Sequence, residues 1–359
     1  MKNARTLLTL LLLIALVLSL AACGSQAQPA QTEEPAAEAA PVEEAAPEAE
    51  APAEEPAAAE EMPVDAAPVR VMALNGTTGF GMAALIAAAA EGGATQAYDF
   101  SVETDASNVT AALVSGDTDI AALPTNAAAT LYNKTGGKVQ VLALNTRGVL
   151  YVVSDGTETL ESFADLDGKT VYVPAQNPTF IFRALCDAAG ISVTIDNSYA
   201  QPADLNSAVA GGQVSLAVLP EPMVTIACSQ NEALQVLFDL TAVWDTVFTP
   251  GSLVQGCVAV RADYAAENPD AVALFLQEYE ASVALLESDP AAAAQSIEAT
   301  GIFAKAAVAQ KAIPRCNICF VTGEEMRSQL SAFLETMASV APDSIGGAVP
   351  AEDFYCILG

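Results

Sequence analysis

Residues 111–126 read AALVSGDTDIAALPTN, and residues 207–222 read SAVAGGQVSLAVLPEP. Each is a small helical run, a glycine turn, an apolar run and Leu-Pro, and the polar residues after the proline differ. Aligning Pro124 with Pro220 pairs Gly116 with Gly212, Ile120 with Leu216, Ala121 with Ala217 and Leu123 with Leu219. A second pairing, Val71 with Val171, sets VMALNGTTGFGMAALIAAAAEGG beside VYVPAQNPTFIFRALCDAAGI. Alanine-rich segments match in periodicity by coincidence, but coincidence does not require Gly and Leu-Pro in register. Strand-turn-helix units in residues 69–146 therefore recur in 169–238, as one module used twice.

The rest of the chain alternates in the same way. VRVMAL (69–74), DIAAL (119–123), KVQVLALNT (138–146), KTVYVP (169–174) and VSLAVLP (214–220) are apolar runs, most of them followed by helix-period segments. That pattern predicts parallel strands buried between helices, an α/β fold. In open α/β sheets, ligands bind beyond the carboxyl ends of the strands, where helix N-termini offer free N–H groups. The candidate ligand-binding residues are those at these ends: Asn75, Gly76, Thr77, Thr78 and Gly79; Thr125 and Asn126; Gln176, Asn177 and Thr179; and Glu221. The two Leu-Pro runs would end at opposite walls of one cleft, each wall with its own polar contacts.

The amino-terminal region reads differently. Lys2 and Arg5 precede an apolar run, Leu7 to Leu18, and then LAAC; this predicts an exported chain whose signal occupies residues 1–22. From Cys23 to Pro68 the composition is mostly Ala, Pro and Glu, with eleven glutamates and Asp65 and no cation, which predicts an unfolded acidic stalk. The net charge is −31, and without the two leader cations and twelve stalk acids the remainder still carries −21. Such an excess of acid argues against nucleic acid or anionic lipid headgroups as partners.

Catalytic and metal signatures are missing. The chain has no histidine, hence neither the commonest general base nor the commonest zinc ligand, and it carries no GxSxG, P-loop or HExxH. No cofactor and no metal is expected. Cys316 and Cys319 have CxxC spacing without a second pair; a disulfide involving Cys356 is open, and Cys186 and Cys228 read as small buried hydrophobes. Arg147 and Arg183 are cations that could meet an anion, though a helical arginine is more often a surface charge. Glu221 fits a first-turn helix charge and, if it faces the cleft, favours an amine or pyrimidine. Trp244 fits packing near the return between the halves. Pro269–Glu287 and Gly323–Val340 are amphipathic helices expected to cover the first sheet.

Taken in order, GTTGFG (76–81), ALVSGDTDIAALPTNAA, FADLDGKTVYVPAQNP, VLPEP, RADYAAENPDAVALFLQEYEASV, IPRCNICFVTGEEM and SIGGAVPAEDFY resemble the substrate-binding lipoproteins of ABC importers. The resemblance is to the nitrate/sulfonate/taurine group, which includes binders of thiamine-pyrimidine precursors. It identifies LAAC as a lipobox with Cys23 lipidated. It implies a type II periplasmic-binding-protein fold: two α/β lobes joined by a two-crossing hinge with a ligand cleft between them. The lobes would be 69–150 with 246–359, and 151–245. Function would be capture of a small solute by lobe closure outside the cytoplasm, from a membrane anchor, and delivery to an ABC permease with its ATPase subunit, without bond chemistry. The alternative is a surface-anchored sensory or scaffold protein on the same fold. Synthases that share the fold depend on histidine and iron, and this chain has no histidine.

Overall fold

The computed structural model describes residues 67–157 and 159–358. The expected signal, the lipidation at Cys23 and all but the last two residues of the expected stalk lie outside the described residues. The chain runs β1 (Val69–Leu74), α1 (Thr77–Phe80), α2 (Ala83–Ala90), β2 (Tyr98–Glu103), α3 (Ala106–Ser115), β3 (Ile120–Pro124), α4 (Thr125–Thr135) and β4 (Val139–Arg147). It crosses to β5 (Leu150–Ser154), β6 (Thr170–Tyr172), α5 (Asn177–Ala189), β7 (Thr194–Asp196), α6 (Pro202–Ala210), β8 (Leu216–Pro220), α7 (Met223–Gln230), β9 (Gln235–Asp239) and α8 (Leu240–Val247). It then returns through β10 (Val254–Arg261), α9 (Ala262–Glu267), α10 (Pro269–Ser288), α11 (Pro290–Ala299), α12 (Ala306–Ala312), β11 (Ile318–Val321) and α13 (Gly323–Val340).

Two sheets result, β11-β4-β10-β3-β1-β2 and β7-β6-β8-β5-β9. Their centres are the same design. β1 lies between β2 and β3 with both pairings parallel, and β6 lies between β7 and β8 likewise. On the far side of β3 comes antiparallel β10, and on the far side of β8 comes antiparallel β5. Each sheet thus receives, next to its Leu-Pro strand, the strand that has just crossed over from the other sheet. Pro124 stands opposite Gly256 at the start of β10, and Pro220 stands opposite Leu150 at the start of β5. The repeat read in the sequence is a topological repeat, and both prolines stand at a crossing. Its paired glycines behave alike too: Gly116 (φ 81°) and Gly212 (φ 70°) both take the left-handed conformation that lets a helix stop and a buried strand begin.

Burial explains why these runs are strands. Ile120–Leu123 and Leu216–Leu219 are buried along their whole length, as strands covered on both faces must be. α10 lies against α2 and β11 on one face of the first sheet, and α13 covers β4 and β10 on the other. α13 also packs on α5 of the second lobe, beyond what amphipathic period alone predicts. One core cluster therefore continues through the hinge side, joining Leu150, Phe182 and Trp244 to Met326 and Phe333. Trp244 is fully buried, donates from Nε1 to Ser252 Oγ at 2.8 Å, and packs on Phe248 and Phe333.

Gly148 and Val149 make the outward crossing and residues 248–253 the return. Gly148 O accepts from Thr241 Oγ1 at 3.0 Å and from Asn317 Nδ2 at 2.6 Å, so one carbonyl ties the outward crossing to α8 of the second lobe and to the segment before β11 of the first. All six described cysteines are free thiols, including Cys356; Cys186 is buried, whereas Cys228 is only partly so. No described helix is long and apolar enough to cross a membrane.

Candidate ligand-binding site

In the first lobe β1 ends in a turn whose backbone is held from several sides. Asn75 N donates to Glu103 O (2.7 Å), Gly76 N to Ile302 O (3.1 Å), and Thr78 O accepts from Asn145 Nδ2 (3.0 Å). Gly76 has φ 88°, and a Cβ on Gly79 would overlap the Leu74 carbonyl oxygen, so both glycines are dictated by the turn. Among the described residues the hydroxyls of Thr77 and Thr78, both half-buried, have no protein partner.

The start of α4 gives the second part of this wall. Thr125 is fully buried and its Oγ1 donates to Val254 O at 2.8 Å, which fixes the helix start to β10; its hydroxyl is therefore engaged within the lobe. Asn126 is half-buried and donates to Ser344 O at 3.4 Å.

The facing wall comes from the second lobe. Gln176, exposed before α5, has φ 64° and ψ −128°, one of two non-glycine residues with positive φ among those described. Such strain is maintained only by the surrounding structure and concentrates at functional sites. Thr179 is buried, donating to Pro174 O (2.8 Å) and accepting from Asn197 Nδ2 (2.8 Å), so its hydroxyl braces the turn. Asn177 reaches across: its Nδ2 donates to Asn126 Oδ1 at 2.8 Å, joining the two walls. Asn177 Oδ1 is a buried acceptor without a partner. A buried unpaired acceptor is costly, and a donor on a bound molecule would satisfy it.

Glu221, expected as a first-turn helix charge, lies just before α7, and it is paired rather than free to meet a solute. Its side chain is fully buried, and its carboxylate accepts from Arg315 Nε at 2.5 Å and from Thr225 N and Oγ1 at 3.1 Å each. Arg315 lies just before β11 in the first lobe, so this ion pair also spans the lobes. Arg315 Nη2 donates to Thr225 Oγ1 (3.0 Å) and its carbonyl accepts from Tyr151 Oη (2.8 Å). Burial alone would lower the Arg315 pKa, but the hydrogen bond and attraction from Glu221 outweigh it and the net shift is upward. Burial, with Asp239 and Glu221 nearby, pushes the Tyr151 hydroxyl upward as well.

Sequence reasoning missed Arg315, Tyr151, Thr225 and Asn145. The two arginines it named lie elsewhere: Arg147 donates to Gly251 O (2.9 Å) at the hinge, and Arg183 is exposed on α5. A cavity of about 530 Å³ between α10 and β11, bordered by Val283, Glu287, Asn317 and Phe320, and one of about 730 Å³ beside Arg70 and Tyr264, contain none of the eleven strand-end residues. The lobes meet through Asn126–Asn177 and Arg315–Glu221, so the walls are in contact where the sequence predicted a cleft.

Two sheets of duplicated topology, joined by two crossings with each Leu-Pro end beside the incoming strand, define a periplasmic binding protein fold. Residues 97–293 match the NMT1/THI5-like family model, and the chain belongs to that family. An ABC transporter structure from Parabacteroides distasonis is 25% identical, with TM-score 0.67, over 80% of this chain and 98% of that one. The periplasmic aliphatic sulphonate binding protein SsuA from Escherichia coli shares 15% identity and TM-score 0.63 over 81% and 94%. The alkanesulfonate-binding protein SsuA from Xanthomonas axonopodis pv. citri, bound to MOPS, shares 16% and 0.55 over 80% and 96%. No curated protein matches. The family is thus the NMT1/THI5-like one, carried on the periplasmic binding protein fold that these structures share.

Proposed function

We propose that this protein is an extracytoplasmic solute receptor, tethered through lipidated Cys23 and the acidic stalk, that captures a small organic or anionic solute and hands it to an ABC permease. The solute would belong to the sulfonate, taurine, nitrate or thiamine-pyrimidine-precursor class. The observation that carries this reading is the pairing of Asn126 with Asn177 across the two strand-end walls, beside an unpartnered Asn177 Oδ1. A solute entering there exchanges the interlobe hydrogen bond for its own contacts to both lobes and so favours closure. The first lobe would be residues 69–150 with 246–359, and the second 151–245. The wall residues would be Asn75 to Gly79, Asn126, Gln176 and Asn177, with Thr125 and Thr179 acting through the helix starts that they fix.

Binding without bond chemistry agrees with a chain that has no histidine. The test is a thermal-shift screen of the purified protein against sulfonates, taurine, nitrate and thiamine-pyrimidine precursors. A solute at a hundred times its dissociation constant stabilises by about 2.7 kcal/mol. A hit confined to one class identifies the cargo. Silence from a folded protein across the panel would refute these solutes and favour the sensory or scaffold reading.

A further inference from the structure

We propose that Asn75 is a site of spontaneous deamidation and that the main-chain carbonyl of Ile302 holds the reaction in check. This goes beyond the solute-receptor reading and does not rest on it. Asn75-Gly76 is the only Asn-Gly pair in the chain. Glycine, without a Cβ, is the following residue that least obstructs attack of its own nitrogen on an asparagine side chain. Asn75 is exposed, and among the described residues its side-chain amide has no hydrogen-bond partner to hold it away. Gly76 stands in open space, with no atom within 4 Å of the place a Cβ would take. The nitrogen that must attack, however, is engaged: Gly76 N donates to Ile302 O at 3.1 Å, and Ile302 is fully buried, which fixes the acceptor. Gly76 has to leave that bond first, and one such bond favours the closed arrangement by about fivefold.

The repeat carries its own comparison. With Val71 set on Val171, Gly76 falls on Gln176, and both take the left-handed conformation, φ 88° and φ 64°, just before a helix. The second copy has Ala175 where the first has Asn75, and its one asparagine, Asn177, precedes Pro178, whose nitrogen carries no hydrogen. The second lobe therefore makes the same turn without the chemistry.

In the reaction the Gly76 nitrogen bonds to Asn75 Cγ, and the side-chain nitrogen leaves as ammonia with the proton that Gly76 gives up. The resulting cyclic imide is opened by water at either carbonyl, which leaves aspartate or isoaspartate at position 75. The sum is amide and water to acid and ammonia, with no oxidant or reductant. The imide nitrogen has no hydrogen, so the bond to Ile302 O is lost as the imide forms. Both products add a negative charge beside Thr77 and Thr78, and isoaspartate also lengthens the main chain by one methylene between β1 and α1.

The experiment is incubation of the full chain in warm, mildly alkaline buffer, native and in urea, followed by peptide mass spectrometry and labelling with an isoaspartyl methyltransferase. The native protein should convert at position 75 ahead of every other asparagine, about fivefold more slowly than the chain in urea. Asn75→Gln should abolish conversion at that position. Gly301→Ala strains a residue at φ 75° next to Ile302 and, with folding confirmed by circular dichroism, should bring the native rate toward the rate in urea. The comparison of native and urea samples needs no variant and decides the matter if Gly301→Ala does not fold. Earlier conversion at another asparagine, or an intact Asn75 in native protein after the urea sample has fully converted, overturns the site. Equal rates in the native and urea samples overturn the role of Ile302. No solute enters the experiment, so the receptor reading stands or falls separately.

Discussion

Gly148→Ala should damage the hinge through a contact. Gly148 is not in the left-handed region, so alanine is tolerated by its backbone torsions. What it lacks is room: an added Cβ would lie 2.5 Å from Leu253 Cδ2 on the return crossing and closer still to Thr241 Oγ1. Both neighbours are fixed, Leu253 by complete burial and Thr241 by its hydrogen bond to the Gly148 carbonyl itself. Forcing a methyl group into such a site costs about 1–3 kcal/mol, and loosening the Thr241 bond adds about 1 kcal/mol. For a domain of this size each kcal/mol moves Tm by about 2–4 °C, so a fall of about 5–10 °C is expected. Thr241→Ala removes the nearest clashing atom, and a denaturation cycle with Gly148→Ala should show coupling of about 1 kcal/mol or more. Gly190→Ala is the control: its φ is 68° and no atom lies within 4 Å of the added Cβ. It should cost about 1 kcal/mol through torsion alone and add independently to Thr241→Ala. A Gly148→Ala protein within about 0.5 kcal/mol of native stability, or a strictly additive cycle with Thr241→Ala, would refute the steric account of the hinge.

Trp244→Phe should cost about 2 kcal/mol in urea denaturation, from the lost bond to Ser252 and the smaller ring in a fully buried site. Because Trp244 is the sole tryptophan, native emission should be blue-shifted and should vanish in the variant. Stability should be nearly flat from pH 5 to 8, since the chain has no histidine, and should fall on both sides. On the acid side, Arg261 holds the Asp263 carboxyl, and Ser198 the Asp196 carboxyl, below 3.8. Their stabilisation is complete above that value and is lost as pH falls through the lowered pKa. On the alkaline side, burial pushes the Cys319 thiol up to about 11 and that of Cys186 to about 12. Their contribution is complete below the ordinary 9 and is lost as pH rises toward those values, which a pH series of thermal melts will read. Asn177→Ala and Thr78→Ala should each weaken whichever solute the screen identifies by about tenfold while leaving Tm of the unliganded protein within a few degrees.

What the sequence disclosed and what it concealed follow from the range of the forces involved. Strands β3, β4 and β8 were legible because burial on both faces leaves a nearly continuous apolar run, and β1 and β6 because short apolar stretches precede turn residues. β2, with alternating YDFSVE, and the short edge strand β7 leave weaker marks. The repeat was legible because glycine and Leu-Pro answer local demands, a left-handed turn and the end of a strand at a crossing. At the wall, the residue types were readable but their use was not. Thr125 and Thr179 look like ligand hydroxyls in a string, yet each is engaged with a backbone carbonyl of its own lobe. Glu221's partner stands 94 residues away, beyond six helices, α7 to α12. A charge pair of that separation has no sequence period, and only the topology that places the segment before β11 beside the end of β8 brings it together. The same topology makes the pair informative. A carboxylate buried without a cation would have to be neutral or be compensated by the solute. With Arg315 supplied by the opposite lobe, the protein compensates Glu221 only when the lobes meet. Contact between the lobes and neutralisation of Glu221 therefore rest on the same pair of residues.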